Sequence, residues 1–234
     1  MEKIYSLLDY IDAAACRIGA WPVASWEKTR RRAPLRLYAG KLRRALPQFA
    51  THIGLTPFFP SSRNIPHDIT KPMPLADNSV DVYQSEDVFE HVPLEAIPGV
   101  FDEIHRILKP GGLFRLSVPD YGCDVYQQRS VRDADGDIVF DPGGGGRFEN
   151  GAVVDGGHLW FPTHDIVRDL FNKSRFGTQG TVRFLHATRA PGDFLLDDID
   201  YSLGDIQRTP DHDERTRNPR RPLSIVVDAR KTAP

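Results

Sequence analysis

An α/β fold built on a mostly parallel sheet is predicted by the middle of the chain, where strand-like and helix-like segments alternate. Val80–Gln84 follows a turn and reads as a strand, apolar residues recur at helical spacing from Leu94 to Leu108, and Leu113–Val118 forms the next strand. Lys109–Gly112 stops the helix, because a cation suits a helix C-terminus, proline cannot continue the helix and glycine accepts a left-handed turn. This order of elements is typical of a sheet with crossover connections.

The other elements are predicted from the same periodicities. Helical or extended spacing of apolar residues indicates helices at 3–18 and 166–171 and strands at 35–38, 52–55, 181–186 and 223–229. Residues 24–33 are polar and basic and are interpreted as a linker. Residues 121–157 contain a glycine run at 143–146 and are predicted to form an irregular insertion, a kind of long loop that is usually functional or mobile.

Length and composition indicate an ordinary globular protein. The chain has 234 residues, which fits one sizeable domain, and its 40% hydrophobic and 26% charged residues favour a packed core over disorder. Cys16 and Cys123 lie far apart and in no CxxC pattern, so a disulfide framework or a zinc ribbon is not expected and a reducing compartment is favoured. With neither a signal-peptide pattern nor an apolar run of roughly 20 residues, we expect a cytoplasmic protein.

The charge distribution is uneven. Residues 1–44 hold ten Lys and Arg residues against four acids, a net charge of +6, and the remainder carries −8. Such a basic segment attracts anions, but the acidic remainder shows no nucleic-acid-binding motif, so specific nucleic-acid binding is not expected. The apolar face of helix 3–18, followed by basic residues up to Arg32, predicts that residues 1–33 contact either an anionic membrane surface or a partner subunit, including a second copy of this chain.

Two stretches between Asp68 and Asp120 carry a recognisable pattern: "DITKPMPLADNSVDVYQSEDVFEHV" and "FDEIHRILKPGGLFRLSVPD". They resemble the class I S-adenosylmethionine (SAM)-dependent methyltransferases, and "EIHRILKPGG" before a strand ending in Pro-Asp is the distinctive part. "HLWFPTHDIVRDLFNKSRFG" and "SLGDIQRTPDHDERTRNPRRPLSIVVDARK" match more loosely. The latter resembles a methyltransferase type 11-like subgroup associated with surface-sugar and secondary-metabolite pathways. The resemblance covers roughly residues 35–231.

The resemblance implies a seven-stranded, Rossmann-like methyltransferase sheet with flanking helices. Six strands would be parallel and the last antiparallel, so that the sheet ends in an antiparallel C-terminal hairpin. Residues 34–234 would form this domain, outside the N-terminal helix and linker of residues 1–33. The cofactor SAM would lie across the carboxyl ends of the first four strands, where open α/β sheets bind their ligands.

The resemblance also implies which residues bind the cofactor. Asp68 would accept a hydrogen bond from the adenine amino group and Ile69 would pack on the adenine ring, whereas the alternative is that Asp68 only caps a turn. Ser85 and Glu86, after the fourth strand, would contact the methionine portion, with a solvent-facing helix start as the alternative for Glu86. Gly40 is the one glycine in a plausible position of the loop after the first strand.

Two departures from the family pattern leave a second interpretation open. The glycine-rich loop is reduced to "YAGKLRRAL", and Gly54 stands where the family carries the acid that binds the ribose hydroxyls. The main hypothesis is methyl transfer from SAM to an oxygen or nitrogen of a small polar acceptor, such as a sugar or a sugar-containing metabolite. The alternative is a non-catalytic protein of this fold that acts as a binding or scaffold module.

On the acceptor side, His158 in "GGHLWFP" is a candidate general base, because an unperturbed imidazole titrates near pH 6.5. Trp160 and Phe161 could wall the acceptor site. The alternative is that His158 anchors the insertion by hydrogen bonding, and Asp120 is the competing base. His91 is interpreted as structural.

Two other kinds of site are weighed and set aside. The run Asp211–Glu214 is interpreted as a solvated face of a charged connector, and no metal site is expected. A nicotinamide-dependent short-chain reductase needs a tyrosine four residues before a lysine, a spacing that none of the seven tyrosines has.

Overall fold

The computed structural model describes residues 2–40, 42, 47–58 and 60–233, and a mixed eight-stranded sheet lies at its centre. The strands of this sheet, numbered in chain order, are β1 (Arg36–Ala39), β2 (His52–Leu55), β3 (Asn64–Ile65), β4 (Val80–Glu86), β5 (Leu108–Pro119), β10 (Gly180–Ala190), β11 (Asp193–Leu196) and β12 (Ser224–Lys231). Two separate hairpins supply β6 (Val131–Arg132) with β7 (Ile138–Phe140), and β8 (Arg147–Glu149) with β9 (Ala152–Val154).

The strand order is β11-β10-β12-β5-β4-β1-β2-β3. Strands β1 to β5 are parallel, and β12 lies antiparallel between β5 and β10, so that β10 runs in the same direction as β1 to β5. The predicted arrangement of six parallel strands with an antiparallel last strand is therefore confirmed. Strand β11 adds an eighth, antiparallel edge strand after β10.

Six α-helices accompany the sheet within the described residues: α1 (Glu2–Arg17), α2 (Trp26–Thr29), α3 (Ile97–Ile107), α4 (Asp124–Arg129), α5 (His164–Asn172) and α6 (Phe176–Gln179). The periodic apolar residues of α3 and α5 form the faces that these helices bury, and Phe101 stacks on Phe171 with ring centroids 4.6 Å apart. Helix α3 ends at Ile107 because Leu108 is already extended, two residues before Pro110, and enters β5.

The N-terminal segment packs on the sheet domain. Asp12 of α1 is only 2% exposed and accepts hydrogen bonds from the backbone N–H (3.3 Å) and the hydroxyl (3.0 Å) of Ser62. Where a linker was expected, α2 forms, and Trp26 meets His67 edge-on at 5.2 Å. An apolar indole can pack where flanking basic residues stay in water, so composition alone misjudged this segment. Among the described residues, no helix is long and apolar enough to cross a membrane.

The segment 121–157 is more ordered than its glycine content suggests. It contains α4 and both small hairpins. Arg129 of α4 forms a bidentate ion pair with Asp141, with Nε–Oδ1 at 2.7 Å and Nη2–Oδ2 at 2.6 Å. Gly145 and Gly146 adopt positive φ of 79° and 67°, which lets the chain reverse into β8. The insertion thus consists largely of a short helix and two hairpins, and the prediction of an irregular segment is wrong for these parts.

Candidate active site

A cavity of about 690 Å³ opens at the carboxyl ends of the parallel strands. Its wall is formed by Gly40 after β1, residues 55–58 at the end of β2, residues 68–70, residues 87, 88 and 91–93 after β4, and Gly156 of the insertion. The strand order reverses between β1 and β4, and such a switch point is where open α/β sheets bind ligands. The cavity lies where the sequence predicts the cofactor.

Gly40 adopts a backbone conformation that other residues rarely take, with a φ of +121°. Its N–H donates to the carbonyl of Leu55 at 2.8 Å, which links the ends of β1 and β2. A Cβ at this position would lie 3.2 Å from both a Val88 methyl group and the Tyr38 ring. The glycine therefore lets the backbone line the cavity without a side chain filling it.

Asp68 and Ile69 both line the cavity, as predicted for adenine-binding residues. Oδ1 of Asp68 accepts hydrogen bonds from the N–H (2.9 Å) and the hydroxyl (2.8 Å) of Thr70, and these bonds lower the pKa of the carboxyl. Oδ2 accepts no hydrogen bond from the described residues. Capping of the turn and binding of a ligand are therefore compatible, because each would use a different oxygen of this exposed carboxylate.

Ser85 and Glu86 lie beside the cavity but do not line it. Ser85 is buried within β4, and the Glu86 carboxylate accepts hydrogen bonds from the backbone N–H groups of Gln207 (2.9 Å) and Arg208 (3.1 Å). Burial and the neighbouring Asp87 raise the pKa of Glu86 to about 8. Because these backbone N–H groups occupy the Glu86 carboxylate, the geometry does not favour its predicted contact with the methionine portion of SAM. Asp87, which sequence reasoning missed, lines the cavity one residue further on.

Gly54 is required by packing between β2 and β3. A Cβ here would lie 2.0 Å from Oδ1 of Asn64 and 2.8 Å from the Cβ of Leu42. That same Oδ1 accepts a hydrogen bond from the N–H of Leu42 at 2.8 Å. Of the described residues that form the cavity wall, only Asp68 and Asp87 are acids. The wall thus has no acid at the end of β2, where the family carries the one that binds the ribose hydroxyls.

A buried polar cluster adjoins the cavity at the loop after β4. The rings of His91, which lines the cavity, and His158 meet edge-on with centroids 4.8 Å apart. Glu90 is completely buried, and its Oε1 lies 3.7 Å from Nε2 of His158 and 4.0 Å from Nε2 of His91. Burial and the nearby Asp87 raise the pKa of Glu90 well above its usual value.

His158 is held by the insertion rather than exposed to the cavity. The Tyr121 hydroxyl donates to Oδ2 of Asp141 and lies 2.5 Å from Nδ1 of His158. Burial, followed by the neighbouring His91, lowers the pKa of His158 to about 4, so the ring is neutral at pH 7. Of the two sequence interpretations of His158, this geometry favours the anchoring one.

Asp120, the competing base, is enclosed at the end of β5. Its carboxylate accepts hydrogen bonds from the N–H groups of Gly122 (2.9 Å) and Thr188 (2.6 Å), which ties β5 to β10, and burial raises its pKa. It is not part of the cavity wall. The expected acceptor wall is likewise internal packing, because Trp160 donates to the carbonyl of Phe89 at 3.0 Å and Phe161 packs on Tyr121.

Sequence comparison identifies the central part of the chain. Residues 45–116, which run from just before β2 into β5, match the family described as "Methyltransferase domain". A curated relative is the sterol 24-C-methyltransferase ERG6B of Gibberella zeae, 39% identical over 64 residues. That match covers 26% of this chain and 16% of the relative, so the chain spans a small fraction of that protein's length.

Solved methyltransferase structures align with most of the chain. The 1,6-didemethyltoxoflavin-N1-methyltransferase of Burkholderia thailandensis, solved with 1,6-didemethyltoxoflavin and S-adenosylhomocysteine, is 12% identical, with 99% of this chain and 90% of that chain covered and a TM-score of 0.47. A SAM-dependent methyltransferase of Archaeoglobus fulgidus is 12% identical over 97% and 94%, with a TM-score of 0.47. Similarity at this level says nothing about the acceptor. Residues 45–116 thus resemble a methyltransferase domain, and the strand order is that of a Rossmann-like methyltransferase fold.

Proposed function

We propose that this chain transfers a methyl group from SAM to an oxygen or nitrogen of a small polar acceptor. The observation that carries the proposal is the cavity at the switch point of the sheet, lined by Gly40, Asp68 and Ile69, within a chain whose residues 45–116 match a methyltransferase domain. Among small polar acceptors, a sugar or sugar-containing metabolite is supported by the resemblance of residues 202–231 to the surface-sugar subgroup.

The residues present fit the cofactor. Oδ2 of Asp68 can accept a hydrogen bond from an adenine amino group, and buried Ile69 offers an apolar surface to the ring. Gly40 allows backbone N–H and C=O groups to approach a ligand closely. A volume of about 690 Å³ lies within the range of small-molecule sites.

SAM supplies a methyl carbon that forms a bond to the acceptor atom while the carbon–sulfur bond breaks and its electron pair returns to sulfur. The protein's part is to align the acceptor with that carbon and to take up the acceptor's proton. His158 reaches the cavity only through His91, and Asp120 is enclosed. Of the histidines that the structure describes, His91 is the one that lines the cavity.

Titration calorimetry with SAM and S-adenosylhomocysteine tests the proposal. Asp68→Asn keeps an Oδ1 for the Thr70 turn but presents an NH₂ group to the adenine amine, so it should weaken binding about 5- to 150-fold, or roughly 1–3 kcal/mol. Asp133→Asn is the matched control, because Asp133 also caps a turn through Oδ1 but lies in the β6–β7 hairpin. Absence of binding to well-folded protein at millimolar ligand would remove the methyltransferase function.

The second candidate function is a non-catalytic binding or scaffold module. It is favoured by Gly54, which packing fixes at the position where the family binds ribose. This candidate predicts a stable, folded protein that binds neither form of the cofactor, so the same titration separates the two functions.

A further inference from the structure

We propose that Glu90, His91 and His158 form a binding site for a transition-metal ion of the Zn²⁺ type. The three residues offer one carboxylate oxygen and two imidazole nitrogens whose mutual separations do not exceed 4.8 Å. Two ligand atoms about 2.05 Å from a tetrahedral ion lie about 3.3 Å apart, so the widest of these separations has to shorten by about 1.5 Å when the ion binds. The half-exposed His91 side chain is free to make that movement.

The hydrogen bonds of the two imidazole rings place a proton on Nδ1 of each, and Nε2 is the other ring nitrogen. Nδ1 of His91 lies 3.1 Å from the carbonyl of Gly157, which can only accept, so this nitrogen carries the proton. The single hydroxyl proton of Tyr121 is donated to Asp141, so Nδ1 of His158 must donate to the tyrosine oxygen. In each ring, Nε2 is therefore the nitrogen that faces Glu90 and that can offer a lone pair to a metal ion.

Glu90 supplies the independent observation. Both of its carboxylate oxygens are buried and have no hydrogen-bond partner among the described residues. The neighbouring cations are already matched to other acids, since Arg208 pairs with Asp87 at 2.8 Å and Arg129 pairs with Asp141 at 2.6 Å. The two imidazole Nε2 atoms and the buried carboxyl group thus face one another at 4.0 Å and 3.7 Å, beyond hydrogen-bond distance. A bound cation satisfies all three at once.

The surroundings orient the ligands as in known metal sites, where each histidine donates its second N–H to a carbonyl or a carboxylate-linked group. The carbonyl of Gly157 does this for His91, and the Tyr121–Asp141 pair does it for His158. Gly144 leaves the room that the His158 ring occupies, because a Cβ there would lie 2.7 Å from its Cγ. The backbone bond from Leu159 N–H to the Glu90 carbonyl, at 2.8 Å, joins the two segments.

The ligand set selects the kind of metal. Two imidazoles and one carboxylate suit Zn²⁺ and other first-row ions with open coordination positions, whereas Mg²⁺ and Ca²⁺ prefer all-oxygen sites. Because His91 also lines the cavity, the ion would lie beside a bound acceptor. Its role there, which rests on the proposed methyl transfer, would be to bind an acceptor hydroxyl and lower its pKa. The hydroxyl proton would pass to water in the open cavity before or as the methyl carbon–oxygen bond forms, while the carbon–sulfur bond of SAM breaks and its electron pair stays on sulfur.

Metal binding by the purified full chain, stripped with chelator and without SAM, tests the site. We expect one Zn²⁺ per chain, a rise in Tm with Zn²⁺ but not with Mg²⁺, and visible absorption bands when Co²⁺ is used as the probe. Glu90→Gln and His91→Ala should each weaken Zn²⁺ binding by about tenfold or more. His212→Ala is the control, because His212 belongs to the acidic run 211–214 and pairs with Asp205 instead.

The outcomes divide cleanly. No Zn²⁺ bound to folded wild-type chain, or equal affinity of the wild type, Glu90→Gln and His91→Ala, would overturn the site. Loss of binding in His212→Ala alone would move the site to the connector and overturn the proposal as well. Because SAM is absent from this experiment, the two proposals can fail separately. A chain that binds Zn²⁺ but, in a separate titration, not SAM would uphold the metal site and remove the methyl-transfer function. A chain that binds SAM but not Zn²⁺ would uphold the methyl-transfer function and overturn the metal site.

Discussion

At the scale of single residues, His52 makes the folded state sensitive to acid. It lies at the start of β2, is only 1% exposed, and neither ring nitrogen has a hydrogen-bond partner among the described residues. Burial, with Arg36 and Arg63 nearby, lowers its pKa to about 4. The unfolded chain takes up a proton near pH 6.5 and the folded chain does not, so stability is full above that pH and declines as the pH falls toward 4.

His52→Leu removes this proton linkage. Between pH 7 and pH 5, the decrease in the free energy of unfolding should be about 2 kcal/mol smaller in the variant than in the wild type. Urea unfolding at the two pH values measures the difference. Ile53→Leu, at the buried neighbour of His52 in β2, changes no titrating group and should keep the wild-type pH dependence. If His52→Leu kept it too, another group would be responsible for the acid sensitivity.

The residues that could be predicted are those whose role depends on their neighbours in sequence. Gly40 and Asp68 follow strands, and a strand end that carries glycine or acid points to the ligand edge of the sheet. Glu90 was passed over and the role of His158 was left open between a base and an anchor, because the groups that define their environment come from distant parts of the chain. No local pattern shows that an acid will be stripped of water by a segment that folds over it.

At the scale of elements, the glycine run of the insertion is shaped by the side chains it encloses. A Cβ on Gly144 would lie 2.7 Å from the ring of His158, and one on Gly143 would lie 2.5 Å from the guanidinium carbon of Arg129. The glycine run at 143–146 predicted a loop, and these four residues do form one between β7 and β8. What composition could not supply was the Arg129–Asp141 pair that holds the loop in one shape.

Gly144→Ala should therefore destabilise the chain by roughly 1–3 kcal/mol, the usual cost of overpacking a filled site. Gly99→Ala is the matched control. Gly99 lies in α3 with nothing within 4 Å of its Cβ position, so alanine there should stabilise the helix by up to about 1 kcal/mol. Thermal unfolding of both variants measures these effects. A neutral Gly144→Ala would mean that the loop yields easily around His158.

At the scale of the whole molecule, the N-terminal segment leaves both apolar side chains and positive charges exposed to water. Ile11 is 46% and Ile18 is 80% exposed, while Asp12 is turned to the domain. Arg31 and Arg32 are exposed just beyond. A segment that exposes both apolar side chains and cations is suited to an anionic lipid surface, the first of the two contacts predicted for residues 1–33.

Ile18→Ser should weaken binding to phosphatidylserine-containing vesicles by about tenfold, since it removes the burial of one large aliphatic side chain. Co-sedimentation, with pure phosphatidylcholine vesicles for comparison, measures the effect. Val131→Ser is the control, because Val131 is 43% exposed on the insertion. A wild-type chain that ignores anionic vesicles but self-associates through Ile18 would assign this face to a second copy of the chain instead.

The position of β12 between β5 and β10 has a consequence for synthesis on the ribosome. Every other strand of the sheet is made before β12, yet β5 and β10 can join only through it. Arg115 is completely buried in β5, and its guanidinium forms a bidentate ion pair with Asp228 of β12. This ion pair cannot form before β12 has been made. Until residues 224–231 emerge, the nascent chain carries two open strand edges and an unneutralised core cation, which is the state in which it is most exposed to mispairing with other chains.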